Sequence, residues 1–263
     1  MEMTRNWSVF DIDGDNAADP KPLHRFSQYG EFGGDDAEKV AAYALGNDYI
    51  EYQRATFWTD GNGNNYMAMS AFSGGATIWN ITDIENRIPT REAWIKISVL
   101  NNYIGGRHVF DVAASYPYLY ITVGGCVSER HSDGSLADGV IRLDVTNPKL
   151  LDMSDSSNVN TAKSLAVHAG IPYDFTADRC DEGDPAPSRI IVKDDVLLLN
   201  YSDKGVAFFR IGDNGIPVFD KVADFTNGDP QTMKLNPATG GIVIVNGEGA
   251  SGTPGLYEIQ ILN

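Results

Sequence analysis

Short runs in which apolar and polar residues alternate recur along the chain. Ser8-Val-Phe-Asp-Ile-Asp13 has near copies in Ala76-Thr-Ile-Trp-Asn-Ile-Thr82, Gly139-Val-Ile-Arg-Leu-Asp-Val145, Gly205-Val-Ala-Phe-Phe-Arg-Ile211 and Gly255-Leu-Tyr-Glu-Ile-Gln-Ile261. The copies start roughly 50 to 70 residues apart, the spacing of propeller blades. Two further strand-type runs precede each later copy. They are Ala55–Trp58 and Tyr66–Ser70, His108–Ala113 and Tyr118–Val123, Arg189–Lys193 and Val196–Asn200, and Thr232–Asn236 and Gly241–Val245. A weaker fourth run follows most copies, at Leu23–Ser27, Ala93–Ile97 and Val218–Val222. Period-two alternation bounded by Gly, Asn and Asp turns predicts antiparallel meanders.

Four strands per unit in series predict an all-β chain, a β-propeller of four-stranded antiparallel blades. A β-sandwich is the competing arrangement, since it too is built of many short strands. Five blades is the best count, with four and six left open. One propeller domain spans 1–263, with blade segments near 7–29, 52–98, 107–154, 188–226 and 231–263. If strands a to d run from axis to rim, the chain opens on c and d and ends after a, b and c. The last c-type strand then duplicates the first, so either Trp7–Asp13 is an added strand or the chain is part of a longer precursor.

Composition narrows the function classes. The 263 residues are 42% hydrophobic and 21% charged, which suits a globular chain. A formal charge of −16 argues against nucleic acid and anionic membrane surfaces as partners. No apolar stretch is long enough to span a bilayer, and no apolar segment of a signal peptide follows Met1. Sequons at Asn6, Asn80 and Asn200 add a little weight to an extracytoplasmic, glycosylated protein, to which a count of two cysteines adds nothing.

Val140-Ile-Arg-Leu-Asp-Val-Thr-Asn-Pro148 and Thr77-Ile-Trp-Asn-Ile-Thr-Asp83 resemble the repeat unit of the Leu-Val-Ile-Val-Asp family of propellers, which carries Gly-Leu-x-Val-x-Asp-Val-Ser-Asp-Pro. The fourth blade departs from it at Arg210-Ile-Gly-Asp-Asn214. That family has no single activity. More distantly, the chain resembles secreted fungal propellers that are hetero-Diels–Alderases of tropolone-sesquiterpenoid pathways. This resemblance implies a cyclase that needs no cofactor.

Loop lengths point to one functional face. The c-to-d turns Gly14–Pro22, Asp83–Pro89, Asn147–Lys149 and Gly212–Pro217 are modest. The long insertions Gly30–Gln53, Val99–Gly106, Gly124–Asp138, Asp155–Ser188 and Asn246–Pro254 nearly all belong to the opposite side. Long loops are usually functional or disordered. A short helix is expected at Asp35–Leu45, stopped by Gly46. On that face Arg54, Arg107 and Arg189 are expected to enter the innermost strands, with Thr232 at the same place in the fifth blade. Such a ring would hold a carboxylate, phosphate or enolate-like oxygen by bidentate hydrogen bonds. The alternative is that each arginine pairs with an acid between blades.

His108 follows Arg107 and should turn away from it, most simply as a histidine packed between blades. His131, Glu129 and Asp133 share a loop with Cys126, and His168, Asp178 and Cys180 are expected in the next loop of the same face. A Cys126–Cys180 disulfide would tie the two. A Cys/His metal site competes but lacks the ligand spacing. His168 and Glu129, with Arg107, are the candidate catalytic groups. Tyr103, Tyr173 and Phe175 would form apolar walls of the ligand site, for which His108 is a further binding candidate. Asp11, Asp13 and Asp15 resemble part of a calcium loop, without its glycine and its final acid, so a solvated hairpin is the simpler reading. The aromatics Phe10, Trp79, Phe110 and Phe208 suit blade packing.

Two functions follow. One is a cofactor-independent lyase or cyclase acting on a small organic ligand with an oxygen-rich or anionic group. The other is a carbohydrate- or protein-binding propeller without chemistry. Oligomeric state is not encoded in any of these features.

Overall fold

Alternation pairs the strands as meanders because one residue in two must be buried on each face of a blade. The structure, a computed structural model, describes residues 6–10, 22–27, 53–72, 74–85, 89–97, 99–100, 108–124, 139–171, 189–200, 205–223, 229–247 and 255–260, the backbone alone at 6–10, 22–27, 229–231 and 246–247. Strands β1 (Asn6–Phe10) and β2 (Pro22–Ser27) form a hairpin. The second blade is β3 (Ala55–Thr59), β4 (Asn65–Ser70), β5 (Ala76–Asn80) and β6 (Thr90–Ile95), paired in that order. The third is β7 (Val112–Ser115), β8 (Tyr118–Val123), β9 (Gly139–Asp144) and β10 (Ala166–Gly170). The fourth is β11 (Arg189–Lys193), β12 (Val196–Asn200), β13 (Val206–Ile211) and β14 (Pro217–Ala223). The last sheet has three strands, β15 (Asp229–Leu235), β16 (Ile242–Gly247) and β17 (Gly255–Ile259). All pairs are antiparallel, and the chain is a β-propeller.

The hydrophobic core lies between blades rather than inside one. Trp58, Tyr66, Ile78 and Ile95 of the second blade pack on Val112, Leu119, Ile121 and Leu143 of the third. Tyr120 and Val140 of the third meet Leu197, Leu199 and Phe209 of the fourth, and Leu198 and Val206 of the fourth meet Met233, Ile242 and Ile244. Innermost strands β3, β7, β11 and β15 lie against one another in succession. Side chains latch β7 to β3 and β11 to the start of β7. Ala114 N donates to Thr56 Oγ1 at 3.1 Å, and Ile190 N donates to Asp111 Oδ2 at 3.0 Å. These bonds satisfy backbone donors on strand edges that no fifth strand reaches. Tyr120 donates its hydroxyl proton to Gly215 O at 3.0 Å, in a turn pressed so closely on the Tyr118 ring that a side chain at Gly215 (φ +73°) would overlap it.

Two expectations about the third blade change. Its fourth strand, β10, lies inside the segment expected to be a single loop at Asp155–Ser188. The c-to-d connection of this blade therefore runs over 145–165 and is no short turn at Asn147–Lys149. It carries a 3-10 turn, Pro148–Leu151, and a helix α1, Val159–Leu165. Met153 N donates to Trp94 O at 2.9 Å, and Asp152 Oδ1 accepts from Trp94 N at 3.1 Å. The connection thus covers the outer edge of β6, a row of backbone groups that would otherwise be bare. Long connections consequently occur on both sides of the blades. The helix expected at Asp35–Leu45 lies outside the described residues. Among the described residues no helix is long and apolar enough to cross a membrane.

Candidate functional site

Blade register brings three charged residues to equivalent places. Arg54 immediately precedes β3, Asp111 immediately precedes β7, and Arg189 opens β11. Each faces a small polar residue near the end of the neighbouring strand. Arg54 N donates to Ser70 Oγ at 3.0 Å, Asp111 N donates to Thr122 Oγ1 at 2.9 Å, and Arg189 pairs with Asn200 in the strand register. Ser70, Asp111, Thr122 and Asn200 are four of the buried polar residues of a core otherwise apolar. Polar residues are buried at one level of the blades because they ring this end of the inner strands.

Asp111 is the centre of the group and is only 6% exposed. Its Oδ1 accepts from Val112 N at 2.9 Å and its Oδ2 from Ile190 N at 3.0 Å. Arg189 Nη1 approaches Oδ2 at 4.0 Å. Burial pushes the carboxyl up to about 6, against the opposing pull of the two backbone donors and of Arg189 and Arg54. Burial lowers the Arg54 guanidinium, with the Asp111 charge acting the other way. Arg189 is lowered first by burial and then by repulsion from Arg54, with Asp111 again opposing. The three charges therefore share one electrostatic environment, positive on two sides of a reluctant anion.

Arg189 is the least satisfied member. Its side chain is 19% exposed, and among the described residues the 4.0 Å approach to Asp111 is its ion pair. Among the described residues its guanidinium makes no hydrogen bond, and Nε is buried without a partner. A planar group with five donors matches carboxylate or phosphate oxygens in pairs.

The expected arginine ring is thus altered. In the third blade the residue that enters the inner strand is Asp111, and Arg107 lies outside the described residues. Thr232 sits inside β15 rather than at its entrance, beyond a bulge between Pro230 and Thr232, with its Oγ1 buried and, among the described residues, without a hydrogen-bond partner. His108 stacks on Phe72 with ring centroids 4.1 Å apart and planes 4° apart, and Phe110 meets both rings edge-on. It packs between the second and third blades. His168 is on β10, opposite Ile141 in the outer strand of its blade, and not in a loop. It stands three strands away from Asp111 in the sheet order, so the structure does not bring it to the arginines. Glu129, Tyr103, Tyr173, Phe175, Cys126, Cys180, Asp11, Asp13 and Asp15 lie outside the described residues. Among the described residues no cluster of His, Cys, Asp and Glu is fit to hold a metal ion. The sequon at Asn200 is fully buried, which leaves no room there for a glycan in the folded chain.

No family model matches the chain, and no curated protein matches it. Among solved structures it is similar to an alpha-L-arabinanase mutant of Cellvibrio cellulosa, at 11% identity, with 79% of this chain and 74% of that one covered and a TM-score of 0.34. It is also similar to a GH43 endo-arabinanase from Bacillus licheniformis, at 14% identity, with 81% and 94% covered and a TM-score of 0.25. Likeness at this level identifies neither ligand nor reaction, and the fold assignment stands on the strand pairing itself.

Asp111 is the site residue that sequence reasoning missed. Its signal was present: a lone acid between Phe110 and Val112 in an apolar run is costly to bury unless the fold uses it.

Proposed function

We propose that the protein is a small-molecule-binding propeller that takes an oxygen-rich anion at the inner-strand end where Arg54, Asp111 and Arg189 meet. The observation that carries this reading is the half-buried Arg189 guanidinium, which makes no hydrogen bond among the described residues. A half-desolvated cation with open donors is costly alone and is relieved by a carboxylate or phosphate. A sugar acid combines that group with hydroxyls that the neighbouring polar residues can meet. A lyase or cyclase, including the cycloaddition that the family resemblance implies, would need an acid–base pair beside the arginines. His168 is three strands away from them, and Glu129 and Arg107 lie outside the described residues, so the reading offered is one of binding.

The test is thermal unfolding with millimolar glucuronate, citrate or inorganic phosphate, and glucose as the neutral control. A ligand at a hundred times its Kd adds about 2.7 kcal/mol to stability. At least one anion should raise the Tm while glucose does not. Arg189→Gln should weaken that anion about ten- to hundredfold, the worth of a charge-assisted hydrogen bond. Equal stabilisation by glucose, no stabilisation by any of the anions, or an unchanged affinity in the folded variant would each refute the reading.

A further inference from the structure

The last sheet is one strand short of the blade it packs on. Among the described residues the third blade sets β10 against β14, whereas the three-stranded last sheet offers no fourth strand to β14 from the other side. The register shows what this leaves open. Val196 stands opposite Arg210, Leu198 opposite Phe208, and Phe208 opposite Lys221, so these side chains share one face of the fourth blade. It is the face turned to the last sheet, since Leu198 is buried there with Met233 and Ile244, while Val196, Phe208 and Ile259 are only partly covered. A cavity of about 620 Å3 results, with those three residues as its apolar floor. Its rim carries charges of both signs, Asp194 and Asp195 from the turn after β11 and Arg210 and Lys221 from the open face. The volume lies within the range of small-molecule sites.

Donor and acceptor accounting decides what such a cavity takes. Arg210 is committed through Nε to Asp220 Oδ2 at 3.6 Å, so that pair is internally neutral. Gln260 gives one amide proton to Glu258 Oε1 at 3.1 Å and keeps its other proton and its carbonyl oxygen. Asp195 engages Ile211 N through its backbone carbonyl, and neither its carboxylate nor that of Asp194 has a partner among the described residues. Lys221 Nζ lies over the Phe208 ring, 5.6 Å from the centroid, and has no ion pair among the described residues. Two carboxylates and one ammonium therefore stand open around the same floor. A simple anion answers Lys221 but meets the two aspartates as like charges, and a simple cation does the converse. A ligand with an ammonium at one end and a carboxylate at the other satisfies both, by charge-assisted hydrogen bonds, and lays its apolar part on Phe208 and Ile259.

From this we infer that the cleft between the fourth blade and the last sheet binds an apolar zwitterion, a free amino acid or a short peptide, with its ammonium on Asp194 and Asp195 and its carboxylate on Lys221. Arg189 is the first residue of β11 and Asp194 follows its last, so the two sites lie at opposite ends of that strand and this inference does not rest on anion binding at the arginines. Phenylalanine and the dipeptide Leu-Phe are the probes, which tell a free amino acid from a peptide. Phenethylammonium and 3-phenylpropionate each lack one charge, and methyl glucoside is the neutral sugar. Calorimetry at low salt on the intact chain should show at least one zwitterion binding about tenfold more tightly than any of the three controls. Lys221→Gln and the double change Asp194→Asn with Asp195→Asn alter exposed side chains, and asparagine accepts the φ of +53° at position 194. Each should weaken the zwitterion about threefold. Lys221→Gln should leave phenethylammonium unchanged, and the double asparagine variant should not weaken 3-phenylpropionate. The inference falls if neither zwitterion binds at millimolar concentration, or if a control binds as tightly. It falls equally if Lys221→Gln and the asparagine variant both keep full affinity, as they would if the probe were held only at Arg189.

Discussion

Replacing Asp111 by asparagine separates the two forces that act on the buried carboxyl. Burial holds it at about 6, against an ordinary aspartate value of about 4. The displacement corresponds to about 3 kcal/mol between the protonated and ionised folded states. The sign follows from proton binding. Between about pH 4 and pH 6 the folded chain holds this proton and the unfolded chain has released it. The group's contribution to stability is therefore fully present below about pH 4 and lost as pH rises through about 6. Asparagine does not titrate, and its single amide oxygen replaces two oxygens that serve Val112 N and Ile190 N. One backbone donor is left unsatisfied at every pH, at a cost of about 1–3 kcal/mol. Urea unfolding of both proteins from pH 4 to pH 7 isolates the effect by subtraction. The advantage of the parent over Asp111→Asn should shrink by about 3 kcal/mol across that range. A difference that stays flat would mean that burial does not govern the group. An advantage that grows with pH would mean that Arg54 and Arg189 outweigh burial.

Other outcomes follow from the same geometry. Protonating Asp111 removes a negative charge beside the arginines, so calorimetry should show any anion that binds there doing so several-fold more tightly at pH 5 than at pH 7, and a weaker interaction at pH 5 would contradict the arrangement. Phe209 is fully buried between the third and fourth blades and meets Phe219 edge-on at 5.7 Å. Phe209→Ala should cost about 3–5 kcal/mol in urea unfolding, and a loss below about 1 kcal/mol would show that this interface tolerates a cavity. His168→Ala should leave the affinity for the stabilising anion within twofold, because β10 is the outer strand of its blade; a tenfold loss would return His168 to the site.

Strands with strong alternation and β-branched or aromatic residues were legible in the sequence, down to the two-stranded opening and the three-stranded end. What escaped detection had physical causes. β10 reads Ala-Val-His-Ala-Gly, and its small residues carry little strand preference. Its pairing with β9 comes from tertiary packing, as does its position after α1. The inner strand of the third blade was placed too early because His108-Val-Phe-Asp-Val-Ala113 is rich in strand-type residues from its first position. Thr122 Oγ1 there accepts from both Phe110 N at 3.1 Å and Asp111 N at 2.9 Å. A side chain thus takes the place of the ladder, and β7 begins only at Val112. That slip moved attention to Arg107 and away from Asp111. The arginines at 54 and 189 were found because their blades keep the regular spacing.

The connection from β9 to β10 lies across the edge of β6, and this makes the second and third units unequal partners in evolution. Excising the third unit from the gene would strip Trp94 of both its backbone partners and remove the carboxylate that caps Ile190. Inserting a foreign repeat between the two would part Trp94 from Asp152 and Met153 while leaving the Asp111–Ile190 bond in place. Homologues that gain or lose repeats are therefore expected to do so in this pair together, or elsewhere in the array.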